Sequence, residues 1–209
     1  MMNINALILA AGSSSRMGTQ KQLLKLGEQT ILEHVIELTI SIEFTKIIAV
    51  IGNEKDRIRN QIFIDDPRFI WAVNEEYIEG QSASIKAGVR TIDEEYVNVM
   101  IFLGDLPFIK KETAGHIYRA GLKELNEDKN PFIIQPVYKG MPGHPVFFGN
   151  MPNKCFDLLE GDKGAKVLIK SISSHIKIDV DDEGILFDID TPEDYFEAEQ
   201  MIKNEKQGK

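Results

Sequence analysis

The sequence predicts an α/β fold in three layers, with helices covering both faces of a mostly parallel β-sheet. Short apolar runs alternate with stretches of helical periodicity almost to the end of the chain. This alternation is typical of parallel sheets whose strands are joined by helices. The 209 residues, 43% of them hydrophobic, can build one large core. We therefore expect a single domain that spans residues 1–209.

Five apolar runs predict the main strands, and helical patterns lie between them. The predicted strands are 6–10, 46–51, 69–73, 97–103 and 131–138. The helical patterns begin near Thr30 and cover 53–61, 82–92 and 107–125. The first helix has the clearest start, because Thr30 and Glu33 have the spacing of a capping box.

After residue 138 the pattern is less regular. It predicts an extended segment at 145–148, short helices at 153–159 and 163–172, and two extended pieces that end near Asp179 and Asp188. A final helix is predicted from Thr191, since Pro192 suits the first helical position and Asp194 completes a cap.

The composition disfavours several classes of function. The 24 basic and 33 acidic residues give a net charge of −9, so we expect no nucleic-acid partner. The apolar segment 4–11 is too short to cross a bilayer and has no basic leader, so we expect no membrane association. Cys155 is the only cysteine, which excludes an internal disulfide or a thiolate zinc site and indicates a cytoplasmic protein.

The loop after the first predicted strand has the composition of a phosphate-binding loop. Small residues at 12–15 let backbone N–H groups converge on a phosphate, and Arg16 and Lys21 add positive charge. The loop is not a Walker loop, because Gly18 is not followed by Lys-Ser or Lys-Thr, and it lacks the glycines of the dinucleotide fingerprint. An ordinary turn with two solvated cations is the alternative.

Carboxylates follow the fourth predicted strand and precede the final helix. Asp105 lies in the first of these loops, and Asp188 and Asp190 lie in the second. Carboxylate oxygens bind hard divalent cations, so Asp105 and Asp190 could share one magnesium ion if the two loops meet. Of Asp188 and Asp190, only Asp190 is expected to face the metal. The alternative is that Asp105 merely caps the next helix.

Six motifs follow one another across nearly the whole chain. They are 9–18 (LAAGSSSRMG) with Lys21, 80–84 (GQSAS), 104–107 (GDLP), 142–145 (PGHP), 161–165 (GDKGA) and 188–192 (DIDTP). Together they resemble the molybdenum-cofactor nucleotidylyltransferase family, within the MobA-like NTP transferase superfamily. The likeness is greatest to its molybdenum cofactor cytidylyltransferase branch.

The resemblance implies a Rossmann-like α/β/α sandwich of the nucleotide-diphospho-sugar transferase type. It also implies Mg²⁺-dependent transfer of CMP from CTP to the phosphate of molybdopterin or molybdenum cofactor, with release of pyrophosphate. By this resemblance Arg16, Lys21 and Asp105 are catalytic, and Asp105 and Asp190 hold the metal. The implied nucleotide-binding residues are Leu9, Ala10, Ala11, Gly12, Ser13, Ser14, Arg16, Lys21, Gly80, Gln81, Ser82, Ser84, Gly104 and Asp105. The implied acceptor-binding residues are Pro142, Gly143, His144 and Pro145.

Two details of the first motif refine this expectation. Ala10-Ala11-Gly12 matches the cytidylyl-transferring branch, whereas the guanylyl-transferring branch resembles Leu-Ala-Gly-Gly, so CTP is the expected nucleotide. Gln20 stands where the family usually has proline, which predicts a less rigid loop because a lost proline frees φ.

Four alternatives stay open at this point. The chain could transfer a guanylyl group, or transfer a nucleotidyl group to a sugar or alditol phosphate. It could instead be a non-catalytic chaperone that delivers molybdenum cofactor to a molybdenum hydroxylase, although the retained Arg16, Lys21, Asp105 and Asp190 argue against that. A nicotinamide or flavin oxidoreductase is the least favoured, since the dinucleotide fingerprint is missing.

Overall fold

A computed structural model describes residues 2–14 and 16–207 of the chain. The strands are β1 (Asn5–Leu9), β2 (Lys25–Leu26), β3 (Gln29–Thr30), β4 (Lys46–Ile51), β5 (Phe69–Val73), β6 (Tyr96–Leu103), β7 (Phe132–Tyr138), β8 (Met141–Pro142), β9 (Val146–Pro152) and β10 (Ser174–Asp179). The α-helices are α1 (Ile31–Ile40), α2 (Lys55–Gln61), α3 (Gln81–Val89), α4 (Lys111–Glu127), α5 (Lys166–Ser171) and α6 (Pro192–Gln207).

The central sheet has the strand order β10-β7-β9-β6-β1-β4-β5, with β8 paired to β7. Strands β5, β4, β1 and β6 run parallel, as do β7 and β10. Strand β9 is antiparallel to both of its neighbours, β6 and β7. The sheet is therefore mostly parallel, as the sequence predicts.

Strand β1 lies inside the sheet because each of its side chains has an apolar layer to enter. All five of its residues are buried, and successive side chains alternate between the two faces. Ala6 and Ile8 belong to one core cluster, and Leu7 belongs to the other. The first cluster contains Leu32, Val35 and Ile36 of α1 and Ala114 and Ile117 of α4. The second contains Ile85 and Val89 of α3 and Leu168 of α5, so the three-layer arrangement is confirmed.

The helix starts agree with their local signals. Thr30 caps α1, with its Oγ1 accepting from Glu33 N and the Glu33 carboxylate accepting from Thr30 N. The final helix begins at Pro192, as predicted. Within the described residues, no helix has the length and apolar character needed to cross a membrane.

The predicted short helix at 153–159 is a 3₁₀ helix over residues 153–158, in which Phe156 is buried. Two other parts of the chain differ from the prediction. The segment that ends near Asp188 is not a strand: a 3₁₀ turn covers 183–185, and residues 187–190 have no regular structure. The short antiparallel hairpin of β2 and β3 has no counterpart in the predicted elements, because each strand has only two residues.

A small third core connects α6 to this hairpin. Leu26, Ile31, Ile189 and Ala198 are all buried in it. The backbone N–H of Ile189 also donates to the carbonyl of Asp105 at 3.0 Å. These contacts bring the segment before α6 against the loop after β6, which places two distant acidic motifs side by side.

Candidate active site

A cavity of about 420 Å³ opens at the carboxyl ends of β1 and β6. Ligands of open α/β sheets bind outside this edge, because the loops there diverge and leave a crevice. The cavity is lined by the loop after β1, the loop after β6, the start of α3 and the segment before α6. Its lining residues are Leu9, Ala11, Gly12, Ser13, Ser14, Arg16, Lys21, Gln22, Tyr77, Ile78, Gly80, Gln81, Ser84, Leu103, Asp105, Asp162 and Asp190.

A cation bridges two carboxylates inside this cavity. Lys21 Nζ donates to Asp105 Oδ2 at 2.6 Å and to Asp190 Oδ1 at 2.5 Å. Arg16 donates from its guanidinium to the other oxygen of Asp190 at 2.9 Å. The loops of Asp105 and Asp190 therefore meet, which the sequence alone left open.

This arrangement keeps Lys21 and Asp190 charged. Burial would lower the pKa of Lys21, but the charges and hydrogen bonds of Asp105 and Asp190 outweigh it, so the pKa is raised. Burial likewise favours neutral Asp190, but the Lys21 hydrogen bond and the charges of Lys21 and Arg16 lower its pKa overall. The ionised carboxylate of Asp190 and the protonated amine of Lys21 thus form an ion pair at neutral pH.

Asp188 lies beside this cluster but makes no ion pair with Lys21. Burial raises its pKa, and the negative charges of Asp105 and Asp190 raise it further, while Lys21 acts in the opposite direction. Asp190 is the member of the pair that contacts the cation. Asp194 caps the turn that leads from Asp190 into α6, because its carboxylate accepts hydrogen bonds from the backbone N–H groups of Asp190 and Thr191.

Buried amides hold the loop after β1 in place. Gln20 donates to Gln22 at 2.8 Å and accepts from the Asn53 side chain at 2.8 Å. Gln22 in turn donates to the Ala10 carbonyl and accepts from the Ser14 hydroxyl. Gln20 itself has φ −67, the value that a proline would impose. The expected loss of rigidity at Gln20 is therefore offset by hydrogen bonds.

Most of the predicted nucleotide-binding residues line the cavity, but three do not. The side chain of Ala10 packs in the core on the α1 side. Gly104 packs against it, since an added Cβ there would lie 2.9 Å from the Cβ of Ala10. Ser82 is buried behind the start of α3, and its hydroxyl has no hydrogen-bond partner among the described residues. Ser15, part of the first motif, lies outside the described residues.

The structure adds cavity residues that sequence reasoning missed. Tyr77 and Ile78 belong to a 3₁₀ turn between β5 and α3 that no sequence pattern predicted. Gln22 follows Lys21 directly, and its polarity next to a phosphate-binding loop was the available signal. Asp162 belongs to a motif of the resemblance that carried no assigned role. An added Cβ at Gly80 would lie 2.3 Å from its Oδ1, so this contact requires glycine.

A second cavity, of about 270 Å³, adjoins the first. Leu9 and Gln81 line both cavities. Of the predicted acceptor-binding residues, Pro142 and His144 line the second cavity, whereas Gly143 and Pro145 do not. Gly143 instead packs against Ile185, since an added Cβ would lie 2.5 Å from the Ile185 carbonyl oxygen.

The acidic cluster suits a hard divalent cation. Oδ1 of Asp105 is buried and has no hydrogen-bond partner among the described residues. Such an acceptor is costly unless a donor or a cation reaches it. Magnesium and manganese bind carboxylate oxygens, so two carboxylates with one unsatisfied oxygen are suitable ligands for either ion.

The family follows from a match along most of the chain. A model of the MobA-like NTP transferase domain matches residues 6–177. The chain belongs to the MobA-like NTP transferase family.

Similar proteins agree with this assignment. The molybdenum cofactor cytidylyltransferase of Escherichia coli is 26% identical, over 96% of this chain and 97% of its own length. A protein of Natranaerobius thermophilus named "Probable molybdenum cofactor guanylyltransferase" is 31% identical, over 96% of this chain and 97% of its own length. The protein is accordingly a nucleotidyltransferase.

Solved structures share the fold over nearly the full length. Rv0371c of Mycobacterium tuberculosis superimposes with a TM-score of 0.78 and 25% identity, covering 96% of this chain and 100% of that chain. The same protein has been solved as a complex with manganese, which superimposes with a TM-score of 0.74 and 21% identity over 95% of this chain and 98% of that one. The chain therefore has the same fold as Rv0371c over nearly its full length.

Proposed function

We propose that this nucleotidyltransferase moves CMP from CTP to the phosphate of a molybdopterin-type acceptor and releases pyrophosphate. The observation that carries the proposal is the Lys21 ammonium held between Asp105 and Asp190 beneath the loop after β1. A triphosphate needs both cations and a metal site, and this cavity offers Arg16, Lys21 and two carboxylates in one place.

The proposed reaction needs positioning and charge compensation more than proton transfer. An acceptor phosphate oxygen bonds to the α-phosphorus of CTP. The bond from that phosphorus to the oxygen bridging to the β-phosphate breaks, and pyrophosphate leaves with the electron pair. A phosphate monoester is largely dianionic near neutral pH, so no general base is required. Lys21 and Arg16 would donate to phosphate oxygens and offset the charge that develops on them.

Asp105 and Asp190 would hold the divalent cation in this proposal. A bound Mg²⁺ would act as a Lewis acid on phosphate oxygens. The unsatisfied Oδ1 of Asp105 supports a metal at this place, and the manganese complex of the M. tuberculosis relative shows that a protein of this fold takes up a divalent cation.

The first test is pyrophosphate release with Mg²⁺ and each of CTP, GTP, ATP and UTP, with and without molybdenum cofactor. We expect release only with CTP and cofactor together. Asp105→Asn and Asp190→Asn should each lower the rate by about a hundredfold or more, because a metal contributes several kcal/mol to such transition states. Asp157→Asn, at an exposed carboxylate outside both cavities, is the matched control.

Other outcomes would redirect the proposal. Tight cofactor binding with no release from any nucleotide would overturn the catalytic proposal and favour a carrier that serves a molybdenum hydroxylase. Release with a sugar or alditol phosphate and not with a pterin would retain the chemistry and change the acceptor.

Guanylyl transfer is the second candidate, because the N. thermophilus relative is the more identical of the two described above. Ala11 is among the residues that line the cavity, and in this proposal its methyl group leaves less space for a purine than glycine would. Ala11→Gly should therefore raise the use of GTP relative to CTP. Ala10→Gly removes the same methyl group from a core position and should leave the ratio unchanged. A wild-type preference for GTP would overturn the argument from Ala11.

A further inference from the structure

The second cavity contains one lysine that neither the family motifs nor the nucleotide site explains. This lysine is Lys166, the first residue of α5, which directly follows the 161–165 motif. Among the described residues that line this cavity, it is the one with a formal charge. No described residue forms a hydrogen bond or ion pair with its ammonium group. Lys166 is exposed to solvent, and an unpaired cation at the edge of a cavity in a chain with net charge −9 can attract an anion.

The rest of the cavity is uncharged. His144 Nδ1 lies 3.4 Å from the Ile101 carbonyl, which can only accept, so Nδ1 carries the hydrogen and Nε2 remains an acceptor. Burial lowers the pKa of His144, and the Lys166 charge lowers it further, so the ring is neutral near pH 7. Gln135 donates to the Gly143 carbonyl at 3.1 Å and retains its own carbonyl as an acceptor. The remaining walls are largely apolar, with Ile85 and Phe148 among them.

Lys166 lies close in the chain to residues at the boundary between the two cavities. Gln81 lines both cavities, so it marks their boundary. Gly164 packs directly on Gln81, since an added Cβ would lie 2.0 Å from Gln81 Oε1. Lys166 follows Gly164 by two residues and lines the second cavity. A phosphate held by Lys166 would therefore lie in the second cavity, which adjoins the cavity of Lys21 and Arg16 at Leu9 and Gln81.

We propose that Lys166 binds the phosphate of the acceptor and positions it for attack on the α-phosphorus of the nucleotide. This inference rests on the proposed nucleotidyl transfer and assigns its acceptor site. The acceptor is then a phosphate monoester, and the part of it that enters this cavity has apolar faces and a polar edge. That edge pairs with Gln135 and His144, and the faces pack on the apolar walls.

Steady-state kinetics with molybdopterin and CTP tests this assignment. Lys166→Met should raise the KM for the acceptor by about tenfold or more, as loss of a charge-assisted contact predicts, and should leave the KM for CTP unchanged. Lys166→Arg keeps the charge and should retain most of the affinity. Lys170→Met is the matched control, because Lys170 is exposed on the same helix one turn further on and does not line the cavity.

A binding measurement separates this inference from the proposed function. The intrinsic fluorescence of 6-hydroxymethylpterin monophosphate reports its binding without turnover, and the unphosphorylated alcohol serves as its partner probe. Wild type and Lys170→Met should prefer the phosphate ester, whereas Lys166→Met should bind the two equally. Absence of turnover in wild type with this preference intact would reject the reaction and keep Lys166 as the phosphate site. If wild type, Lys166→Met and Lys170→Met all discriminate between the phosphate ester and the alcohol to the same extent, the assignment of Lys166 is overturned.

Discussion

Replacing Lys21 with methionine removes the cation between Asp105 and Asp190 while keeping most of the apolar volume of the side chain. The Lys21 side chain is only 8% exposed, and the two carboxylates are 22% and 32% exposed. Two charge-assisted hydrogen bonds contribute about 1.5–3 kcal/mol each, but solvent reaches both carboxylates and reduces this. We expect the free energy of unfolding to fall by about 2–3 kcal/mol at pH 7.

The pH dependence of this loss distinguishes the ion pair from simple packing. In wild type the pKa of Asp190 is lowered, so its stabilisation is present above the unfolded pKa and is lost as pH falls through the folded pKa. Without Lys21, the pKa of Asp190 loses its largest lowering influence and keeps only that of Arg16, and the pKa of Asp188, already raised by burial and by the charges of Asp105 and Asp190, rises further. The folded variant then binds more protons than the unfolded chain, so its stability rises as pH falls from 7 towards 4.

Urea unfolding followed by circular dichroism at pH 7, 5.5 and 4 measures both effects. The difference between wild type and Lys21→Met should be largest at pH 7 and should shrink at pH 4. Lys123→Met is the control, because this exposed lysine lies 3.9 Å from Glu127 on one helix face and should cost less than about 0.5 kcal/mol. A loss for Lys21→Met that is the same at all three pH values would refute the electrostatic reasoning.

Three further changes test the scaffold by urea unfolding. Thr30→Ala removes the capping box of α1 and should cost about 1 kcal/mol; an unchanged midpoint would contradict the cap. Gly88→Val should lower the free energy of unfolding by about 1–3 kcal/mol through overpacking, because a Cβ added at this position would lie 2.1 Å from Leu7 Cδ1. A variant as stable as wild type would contradict this packing argument. Asp194→Ala should lower the free energy of unfolding by about 1 kcal/mol at pH 7. The effect should shrink as pH falls through the lowered pKa of Asp194, because a protonated carboxyl caps less well. An effect independent of pH would argue against capping by the charged form.

Much of the fold could be predicted because its signals are local. Strand β4 is a continuous apolar run, and the capping box of Thr30 defines the start of α1 whatever the rest of the chain does. The less regular second half was harder. Strand β9 inserts between β6 and β7 in the antiparallel direction, and a short apolar run such as 145–148 does not indicate its partners or its direction.

The candidate site also combines features that the sequence predicts with features that it does not. The small residues of the first loop, its two cations and the flanked aspartates are visible in the sequence, and their chemistry predicts phosphate and metal binding. Tyr77 and Ile78 were missed, because nothing in their own segment shows that they line the same cavity as Lys21. Gln22 was also missed, although its polarity directly after Lys21 was a signal. Ala10, Ser82 and Gly104 lie within the motifs but do not line the cavity, because they pack into the interior.

By itself, the sequence determined the alternation of strands and helices, the helix starts and the charged residue types available for chemistry. These follow from periodicity, capping and composition, each of which acts over a few residues. Only the tertiary structure decided that Asp190 reaches Lys21 across 169 residues of chain. It did so through burial of Ile189 with Leu26 and through the hydrogen bond from Ile189 to the Asp105 carbonyl. Such long-range contacts depend on the packing of the whole core, which no local pattern encodes.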